Sequence, residues 1–290
     1  MKSLRIGCVK YLNARPLIRG WPGDVEFDHP SKLCKRLAND QLDVALVSSF
    51  EFLRNPIYRI VDDISISSDG PVYSVVVAHR GEISEIEEIE LDPASQTAVN
   101  LLRCVLREAG LNPNLIQRNT GILFAGRTDS SCGEPLRPAG VSPAVAESGS
   151  ASRAQLLIGD QAIRFRQRHT AEFQFWDLGE QWKKLTDLPF VYALWLIRPE
   201  VVDPKQIADR LRGLRDENLA NLDESIADAV AGLAEPGHPK QLNHEFCVRY
   251  YHEHLRFSFG ETEKEGLRTF ANLCAKHALL EKRDAAFSVV

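Results

Sequence analysis

The sequence lacks any apolar run approaching the ~18 residues that would suggest a membrane-spanning helix. It also lacks an excess of positive charge, since 35 lysines and arginines stand against 40 aspartates and glutamates and give a formal net charge of −5. This balance argues against a broad basic surface for nucleic acid. We therefore predict neither a membrane nor a nucleic-acid partner.

The cysteines and histidines do not form a metal-binding pattern. The six cysteines are scattered without a CxxC pair, at Cys8, Cys34, Cys104, Cys132, Cys247 and Cys274. An even number could form disulfides, but a chain of this length without an export signal favours free thiols. His252 and His254 fall two positions apart in a predicted helix and point in different directions. The sequence therefore predicts no metal site.

Common catalytic signatures are absent as well, namely a GxSxG elbow, an HExxH helix, a P-loop and a GxGxxG turn. Hydrolase, protease, kinase and nicotinamide-dependent functions lose support, and no cofactor is predicted. The N-terminal segment MKSLRIGCVKYLN has a short apolar stretch interrupted by Arg5 and Lys10, which predicts a first strand and not a signal peptide. The expected location is the cytoplasm.

Strand-like and helix-like segments alternate over much of the chain. Strands are predicted at residues 4–9, 43–47, 72–78, 89–91, 155–159 and 190–197, and helices dominate after residue 207. This alternation predicts parallel pairing in an α/β fold, and the length allows two lobes with a ligand crevice at the carboxyl ends of the strands. Residues 118–153, rich in Gly, Pro, Ser and Ala, are predicted to be a surface loop or insertion and are assigned no structure.

Polar residues follow several of the predicted strands. Asn13 comes after the first strand and can either donate an amide hydrogen bond to a ligand or only shape a turn. Ser48 and Glu51 have the spacing of a capping box, which favours a plain N-cap for Ser48 and leaves Ser49 to face a ligand. Asn13, Ser48 and Ser49 are therefore candidate ligand contacts, and the two serines lie at the start of a predicted helix.

Two further strand ends carry candidate ligand contacts. Ser95, Gln96 and Thr97 open a helix, so two helix N-termini with free N–H groups could hold two anionic groups. Gly159 and Asp160 end another strand, where Asp160 either caps its helix or lines the crevice. Together these positions suit a ligand with more than one negative charge.

The stretch SISSDGPVYSVVV crowds hydroxyl groups around a Gly-Pro turn in front of a predicted strand. Turn chemistry explains the Gly-Pro pair but not the clustered serines. The candidate anion contacts here are Ser68, Gly70, Pro71, Tyr73 and Ser74. The whole candidate site is rich in hydroxyls, amides and backbone donors, which suits recognition of carboxylates more than hydrolytic chemistry.

Six ordered segments resemble one known family. YLNARPL, DVALVSSFEFLRN, SISSDGPVYSV, LDPASQTAV, LLIGDQAI and DLGEQWKKLTDLPFVYALW are similar to the chorismate dehydratases of the futalosine route to menaquinone. The similarity runs from about Arg5 to Arg198, and the helical tail is less diagnostic.

The resemblance implies a two-lobed fold like that of type II periplasmic binding proteins. Residues 1–88 and 190–290 would form lobe one, and residues 89–189 would form lobe two. The implied reaction dehydrates chorismate to 3-[(1-carboxyvinyl)oxy]benzoate without a cofactor. Asn13 and Ser74 are then expected nearest the reacting ring, hydrogen-bonded to an enolate-like state or to the departing hydroxyl. The sequence offers no convincing side-chain base, and one hypothesis is that the enolpyruvyl carboxylate of the substrate takes the ring proton itself.

Two features depart from the family pattern. Residues 129–152 are long and irregular where a helix and a strand are expected, and Ala98 replaces an expected hydroxyl. Two alternatives therefore stay open, a non-catalytic solute-binding protein and the sister enzyme that makes dihydroxynaphthoate from a cyclised futalosine. The latter relies on a histidine in lobe two, and His169 lies in a predicted helix without a matching motif. The protein is expected to be a monomer or homodimer.

Overall fold

The computed structural model describes residues 4–117, 153–233, 243–283 and 287–290. Residues 118–152, including Cys132 and the segment that departs from the family pattern, lie outside these ranges. The described residues form ten strands and nine α-helices. The strands are β1 (Ile6–Val9), β2 (Val25–Asp28), β3 (Val44–Ser48), β4 (Arg59–Ser68), β5 (Val75–His79), β6 (Glu88–Leu91), β7 (Asn114–Gln117), β8 (Arg153–Ile158), β9 (Gln174–Asp177) and β10 (Phe190–Ile197). The helices are α1 (Pro30–Ala38), α2 (Ser49–Arg54), α3 (Gln96–Glu108), α4 (Gly159–Arg168), α5 (Leu178–Thr186), α6 (Pro204–Ala220), α7 (Leu222–Leu233), α8 (His244–Arg249) and α9 (Glu261–Lys276).

The strands build two five-stranded sheets. The first sheet has the order β2-β1-β3-β10-β4, and the second has the order β7-β6-β8-β5-β9. Each sheet carries its own helices, which gives the two-lobed α/β architecture predicted from the sequence.

The predicted parallel pairing is only partly right. Strand β1 runs parallel to β2 and β3, and β6 runs parallel to β7 and β8. Strand β10 is antiparallel to β3 and β4, however, and β5 is antiparallel to β8 and β9. Both antiparallel strands come directly after the chain has passed from one sheet to the other. Strand β10 lies between β3 and β4, which precede it in the sequence, and β5 lies between β8 and β9, which follow it.

The strand pairing moves the predicted lobe boundary at residue 88. Strand β5, which that boundary assigned to lobe one, pairs with β8 and β9 in the second sheet. The chain therefore leaves the first sheet after Ser68 and enters the second at Val75. The return at Phe190 coincides with the start of β10 in the first sheet.

The C-terminal helices pack against the first sheet and contribute to its core. The Phe270 ring of α9 lies 5.0 Å from that of Phe190 and 6.0 Å from that of Trp182, both nearly perpendicular. The chain end also returns to β4, because Val290 exchanges backbone hydrogen bonds with that strand. In the described ranges, no helix combines the length and apolar character that crossing a membrane requires.

Candidate active site

A small cavity lies between the two lobes. Its volume is about 60 Å³, and both sheets contribute to its wall. The lining residues are Val9, Tyr11, Asn13, Pro30, Ser48, Ile66, Val72, Ser74, Val75, Ser95, Ala98, Ile158, Gly159, Tyr192 and Ala193. None of these described lining residues is Asp, Glu, His, Lys or Arg, so the polar groups of the wall are hydroxyls, an amide and main chain, set among apolar side chains.

Asn13 is presented to the cavity by a short 3₁₀ helix, Leu12–Leu17, that follows β1. The backbone N–H of Leu12 donates to Asp160 Oδ1 at 2.9 Å, and the carbonyl of Leu12 accepts from the Tyr251 hydroxyl at 2.7 Å. Asn13 Oδ1 is buried without a hydrogen-bond partner within the described part of the chain. The backbone of Leu12 is thus held by hydrogen bonds at both its N–H and its carbonyl, while the Asn13 oxygen remains available for a ligand donor.

Ser74 follows a turn that Asp177 fixes from the second lobe. Asp177 is 2% exposed, and its carboxylate accepts from the backbone N–H groups of Val72 at 3.0 Å and Tyr73 at 2.8 Å. Tyr73 has a φ of +67°, a left-handed conformation that costs energy for a residue with a side chain. The Arg166 guanidinium stacks on the Tyr73 ring at 4.2 Å. Asp177 therefore stabilises a strained turn whose next residue enters the cavity wall.

The starts of α2 and α3 face each other across the lobes and cap one another. The Ser48 hydroxyl accepts from the backbone N–H of Thr97 at 3.0 Å, and the Thr97 hydroxyl accepts from that of Phe50 at 3.0 Å. The two hydroxyls are also hydrogen-bonded to each other. Ser48 occupies the N-cap position of α2 as predicted, but its side chain makes no cap hydrogen bond within that helix, because its oxygen binds the other helix. Ser49 donates to the Val191 carbonyl at 2.7 Å instead of facing the cavity.

The start of α3 also contains a local cap. Ser95 accepts from the backbone N–H of Ala98 at 3.2 Å, as expected for an N-cap, and it lines the cavity. Ala98 lies beside it in the wall, so the position that lacks the expected hydroxyl is a cavity position. Gln96 is not part of the described lining.

The serine-rich stretch lies mostly in a strand and not in a loop. Ser65, Ser67 and Ser68 belong to β4, which extends to residue 68. Ser65 and Ser67 donate to backbone carbonyls of the C-terminal segment, at Ser258 and Arg256. Ser68 donates to the Gly70 carbonyl at 3.0 Å and lies 3.1 Å from the Tyr192 hydroxyl.

Ser74 is the one candidate from this stretch that the structure brings into the described cavity wall. Ser68, Gly70, Pro71 and Tyr73 lie outside it. The clustering that pointed to an anion therefore has a structural cause. Strand β4 is bordered by the polypeptide backbone of residues 256–258, which supplies acceptors for its serines.

Gly159 and Asp160 begin α4, opposite Tyr11. Gly159 has a φ of +59°, and a Cβ atom placed there would lie 3.0 Å from the Tyr11 ring. Asp160 is 9% exposed, and desolvation of its carboxylate raises its pKa despite the hydrogen bond from Leu12. Gly159 lines the cavity, whereas Asp160 acts behind the wall on the backbone that carries Asn13.

Several site residues were missed from the sequence. Tyr11 and Tyr192 line the cavity, and burial raises the pKa of both hydroxyls, which keeps them neutral. Asp177 has a recognisable signal, since Asp177 and Glu180 show the spacing of a capping box in front of α5. Tyr250 and Tyr251 gave no signal, because their contacts with Ser74 and Leu12 span more than 170 residues.

A wider groove adjoins the cavity and carries positive charge. It has a volume of about 600 Å³ and shares Val9 and Tyr11 with the cavity. Its charged lining residues are Lys10, Arg15, Arg19, Asp24 and Asp228. Arg19 is paired with Asp228 at 2.8 Å. Lys10 and Arg15 have no ion-pair partner among the described residues, and three cationic side chains stand against two aspartates in the groove, so this approach to the cavity keeps a small excess of positive charge.

Comparison with known protein families decides the relationship. The profile of a family described as menaquinone biosynthesis matches residues 4–133 and 130–276, which together cover most of the chain. The chain belongs to this menaquinone biosynthesis family. The family resemblance drawn from the six sequence segments is thereby confirmed.

Individual relatives agree with this assignment. A chorismate dehydratase from Thermus thermophilus is 29% identical over 93% of this chain and 95% of its own length. Protein AF1704 from Archaeoglobus fulgidus superimposes with a TM-score of 0.58 at 15% identity, covering 96% of this chain and 98% of that one. The periplasmic aliphatic sulphonate binding protein SsuA from Escherichia coli gives a TM-score of 0.57 at 13% identity, covering 97% and 89%. The predicted periplasmic-binding-protein-like fold is confirmed.

Proposed function

We propose that this protein is a chorismate dehydratase, a carbon–oxygen lyase that acts in the cytoplasm without a cofactor. The Thermus relative supports this function, because it carries that name and aligns over nearly the full length of both chains. The observation that carries the proposal in this molecule is the cavity itself, which gathers Asn13, Ser74 and two tyrosines without a charged side chain among its described lining residues.

The reaction needs little acid–base chemistry from such a wall. One ring C–H bond and the C–O bond to the ring hydroxyl break, a C=C bond forms, and the proton and hydroxide leave together as water. Because the ring becomes aromatic, the substrate supplies much of the driving force. The side-chain N–H₂ group of Asn13 and the Ser74 hydroxyl are proposed to donate hydrogen bonds to the departing hydroxyl or to negative charge that develops on the conjugated carboxylate.

The proton acceptor is proposed to be the enolpyruvyl carboxylate of the substrate. The two buried carboxylates considered from the sequence stand behind the wall, not in it. Asp160 accepts from Leu12, and Glu51 pairs with Arg54 at 2.5 Å, and neither belongs to the described lining. A substrate group is then the base closest to the ring proton.

Binding requires the lobes to separate. Ligand cavities usually enclose ~300–1,000 Å³, and this one encloses about 60 Å³. Two of the contacts that join the lobes at the cavity are proposed to open, those between Ser48 and Thr97 and between Asp160 and Leu12. The carboxylates of chorismate are proposed to take over the N–H groups of Phe50 and Thr97 that these hydroxyls now occupy.

The proposed function is tested by incubating the protein with chorismate and following its absorbance and products. Loss of chorismate with formation of 3-[(1-carboxyvinyl)oxy]benzoate is the expected result. Asn13→Ala and Ser74→Ala should each lower kcat by roughly 10²–10³-fold, the usual loss for one donor at a developing charge. Binding of chorismate without turnover by the unaltered protein would contradict the proposal and favour a solute-binding protein.

The proposed proton acceptor has its own test. Asp160→Asn and Glu51→Gln should both retain turnover, because neither carboxylate is proposed to take the ring proton. A collapse of kcat with unchanged chorismate binding in either variant would assign the base to the protein. The dehydratase assignment itself would survive that result.

A further inference from the structure

Ser74 makes a hydrogen bond across the molecule to a tyrosine of the C-terminal segment. The Tyr250 hydroxyl donates to Ser74 Oγ over 2.7 Å, although the two residues are 176 positions apart. Both are buried, with exposures of 1% and 0%. Within the described part of the chain, Tyr250 is the one hydrogen-bond partner of the Ser74 hydroxyl.

We infer that Tyr250 is a positioning residue that turns the Ser74 hydroxyl into a hydrogen-bond donor toward the cavity. A serine hydroxyl carries one proton and two lone pairs. Since Ser74 Oγ accepts from Tyr250 on one side, its own proton is directed to the other side, where the residue lines the cavity. The bond received from Tyr250 also polarises the hydroxyl and strengthens the bond it donates.

The surroundings of Tyr250 suit a fixed donor. Its ring stacks on Phe246 with centroids 5.7 Å apart and an interplanar angle of 13°. Burial raises the pKa of its hydroxyl, so the proton is retained at all working pH values. Gly159 N–H donates to the Ser74 carbonyl at 2.8 Å, which fixes the backbone of the same residue.

Tyr250 begins a single π-helical turn, Tyr250–His254, that serves both halves of the site. The next residue, Tyr251, donates to the Leu12 carbonyl beside Asn13. One turn of the C-terminal segment therefore contacts the backbone next to Asn13 and the side chain of Ser74. This arrangement gives the helical tail a role in the site that its sequence did not indicate.

The test is Tyr250→Phe, which removes the hydroxyl and keeps the stacked ring. This inference rests on the proposed function, so chorismate turnover by the unaltered protein is measured first. We expect kcat to fall about tenfold, equivalent to ~1.4 kcal/mol, with KM changed less than twofold. Tyr58→Phe is the matched control, because Tyr58 is fully buried and its hydroxyl accepts one hydrogen bond, from Asn55 at 3.3 Å, outside the cavity wall.

A double-mutant cycle separates positioning from simple destabilisation. In a Ser74→Ala background, Tyr250→Phe should lower kcat by less than twofold, because the hydroxyl it positions is gone. If the unaltered protein is active and Tyr250→Phe leaves kcat unchanged, the inference about Tyr250 is overturned while the proposed function stands. Equal kcat losses from Tyr250→Phe in the unaltered and Ser74→Ala backgrounds would have the same meaning. An inactive unaltered protein would overturn the proposed function and this inference with it.

Discussion

Gly159 allows the Tyr11 ring to lie against the start of α4 in the cavity wall. Its φ of +59° disfavours any side chain, and a Cβ atom would lie 3.0 Å from the ring. Gly159→Ala should therefore destabilise the fold by about 1–2 kcal/mol from backbone strain and also lower kcat/KM about tenfold by displacing Tyr11. Thermal unfolding and steady-state kinetics measure the two effects.

Gly110→Ala is the matched control for this substitution. Gly110 has a φ of +71°, but a Cβ atom there meets nothing within 4 Å. The control should lose stability from the same backbone strain and keep its kcat/KM. Equal kinetic losses in the two variants would show that contact with Tyr11 does not matter for the site.

Asp160 is expected to make the stability of the protein depend on pH. Desolvation raises its pKa in the folded state, while the unfolded chain ionises near the ordinary value of about 3.9. The folded state thus binds this proton more firmly, and the contribution of Asp160 to stability falls as pH rises from about 4 through the raised pKa. Asp160→Asn keeps an oxygen for Leu12 but does not titrate.

The free energy of unfolding of Asp160→Asn, relative to the unaltered protein, should therefore shift in favour of the variant as the pH rises above about 4. Urea unfolding at a series of pH values measures this difference. A constant offset at all pH values would mean that the carboxylate ionises normally in the folded protein.

At the scale of elements, Asp177 joins the turn before Ser74 to helix α5. It accepts from two N–H groups of the turn and from those of Gly179 and Glu180 at 3.0 and 3.2 Å. Asp177→Asn replaces one acceptor oxygen by a donor, so buried N–H groups lose their partner. We expect a loss of ~1.5–3 kcal/mol in unfolding free energy, and a drop in kcat because Ser74 is no longer held in place.

Asp28→Asn is the control for Asp177→Asn. Asp28 also accepts from a backbone N–H, that of His29 at 2.8 Å, but at the edge of the first sheet. Asp28→Asn should lower the free energy of unfolding by less than about 1 kcal/mol and leave kcat unchanged. Urea unfolding and kcat are measured for both variants. A small loss of stability with unchanged kcat in Asp177→Asn, as in the control, would contradict the role given to Asp177.

The sequence predicted those elements whose apolar residues form a continuous run. Strand β10 was placed at its observed bounds, Phe190–Ile197, because nearly all of its residues are buried. Strand β2 was missed because Val25–Asp28 is a half-exposed edge strand with alternating acidic residues. Strand β4 was missed because polar residues interrupt its apolar pattern, namely Asp62, Asp63 and the serines. Some of these side chains hydrogen-bond to distant segments, as Asp63 does with Arg215.

The candidate site was predicted less completely, for a physical reason. Asn13, Ser95 and Gly159 were found because each lies at or just after the end of a predicted strand, and such positions gather at one edge of a sheet. Ser74 was found from the cluster of hydroxyls around the Gly-Pro turn and from the family resemblance. The partners of Ser48 and Ser49 depend on how the lobes approach each other, which local spacing does not encode. The same holds for Tyr250, whose bond to Ser74 needs the tail to fold back across the molecule.

At the scale of the whole molecule, a net charge of −5 repels a doubly negative substrate. Lys10 and Arg15 line the groove beside the cavity and are proposed to offset this repulsion. The variant Lys10→Gln with Arg15→Gln should lower kcat/KM about five- to tenfold at low ionic strength, with a smaller effect at high salt.

The measurement is kcat/KM for chorismate as a function of salt concentration. Arg268→Gln, which removes a cation of α9 outside the groove, should match the unaltered protein. If the double variant kept the full salt dependence of the unaltered protein, the groove would not be the route by which substrate approaches.

Neutral hydrogen-bonding groups between the two lobes are proposed to hold a small dicarboxylate. A crystal structure with 3-[(1-carboxyvinyl)oxy]benzoate bound tests it most directly. We predict ligand density between Asn13 and Ser74, with the lobes moved apart at Ser48 and Thr97. Density confined to the groove of Lys10 and Arg15, with the space between Asn13 and Ser74 unchanged, would contradict the account.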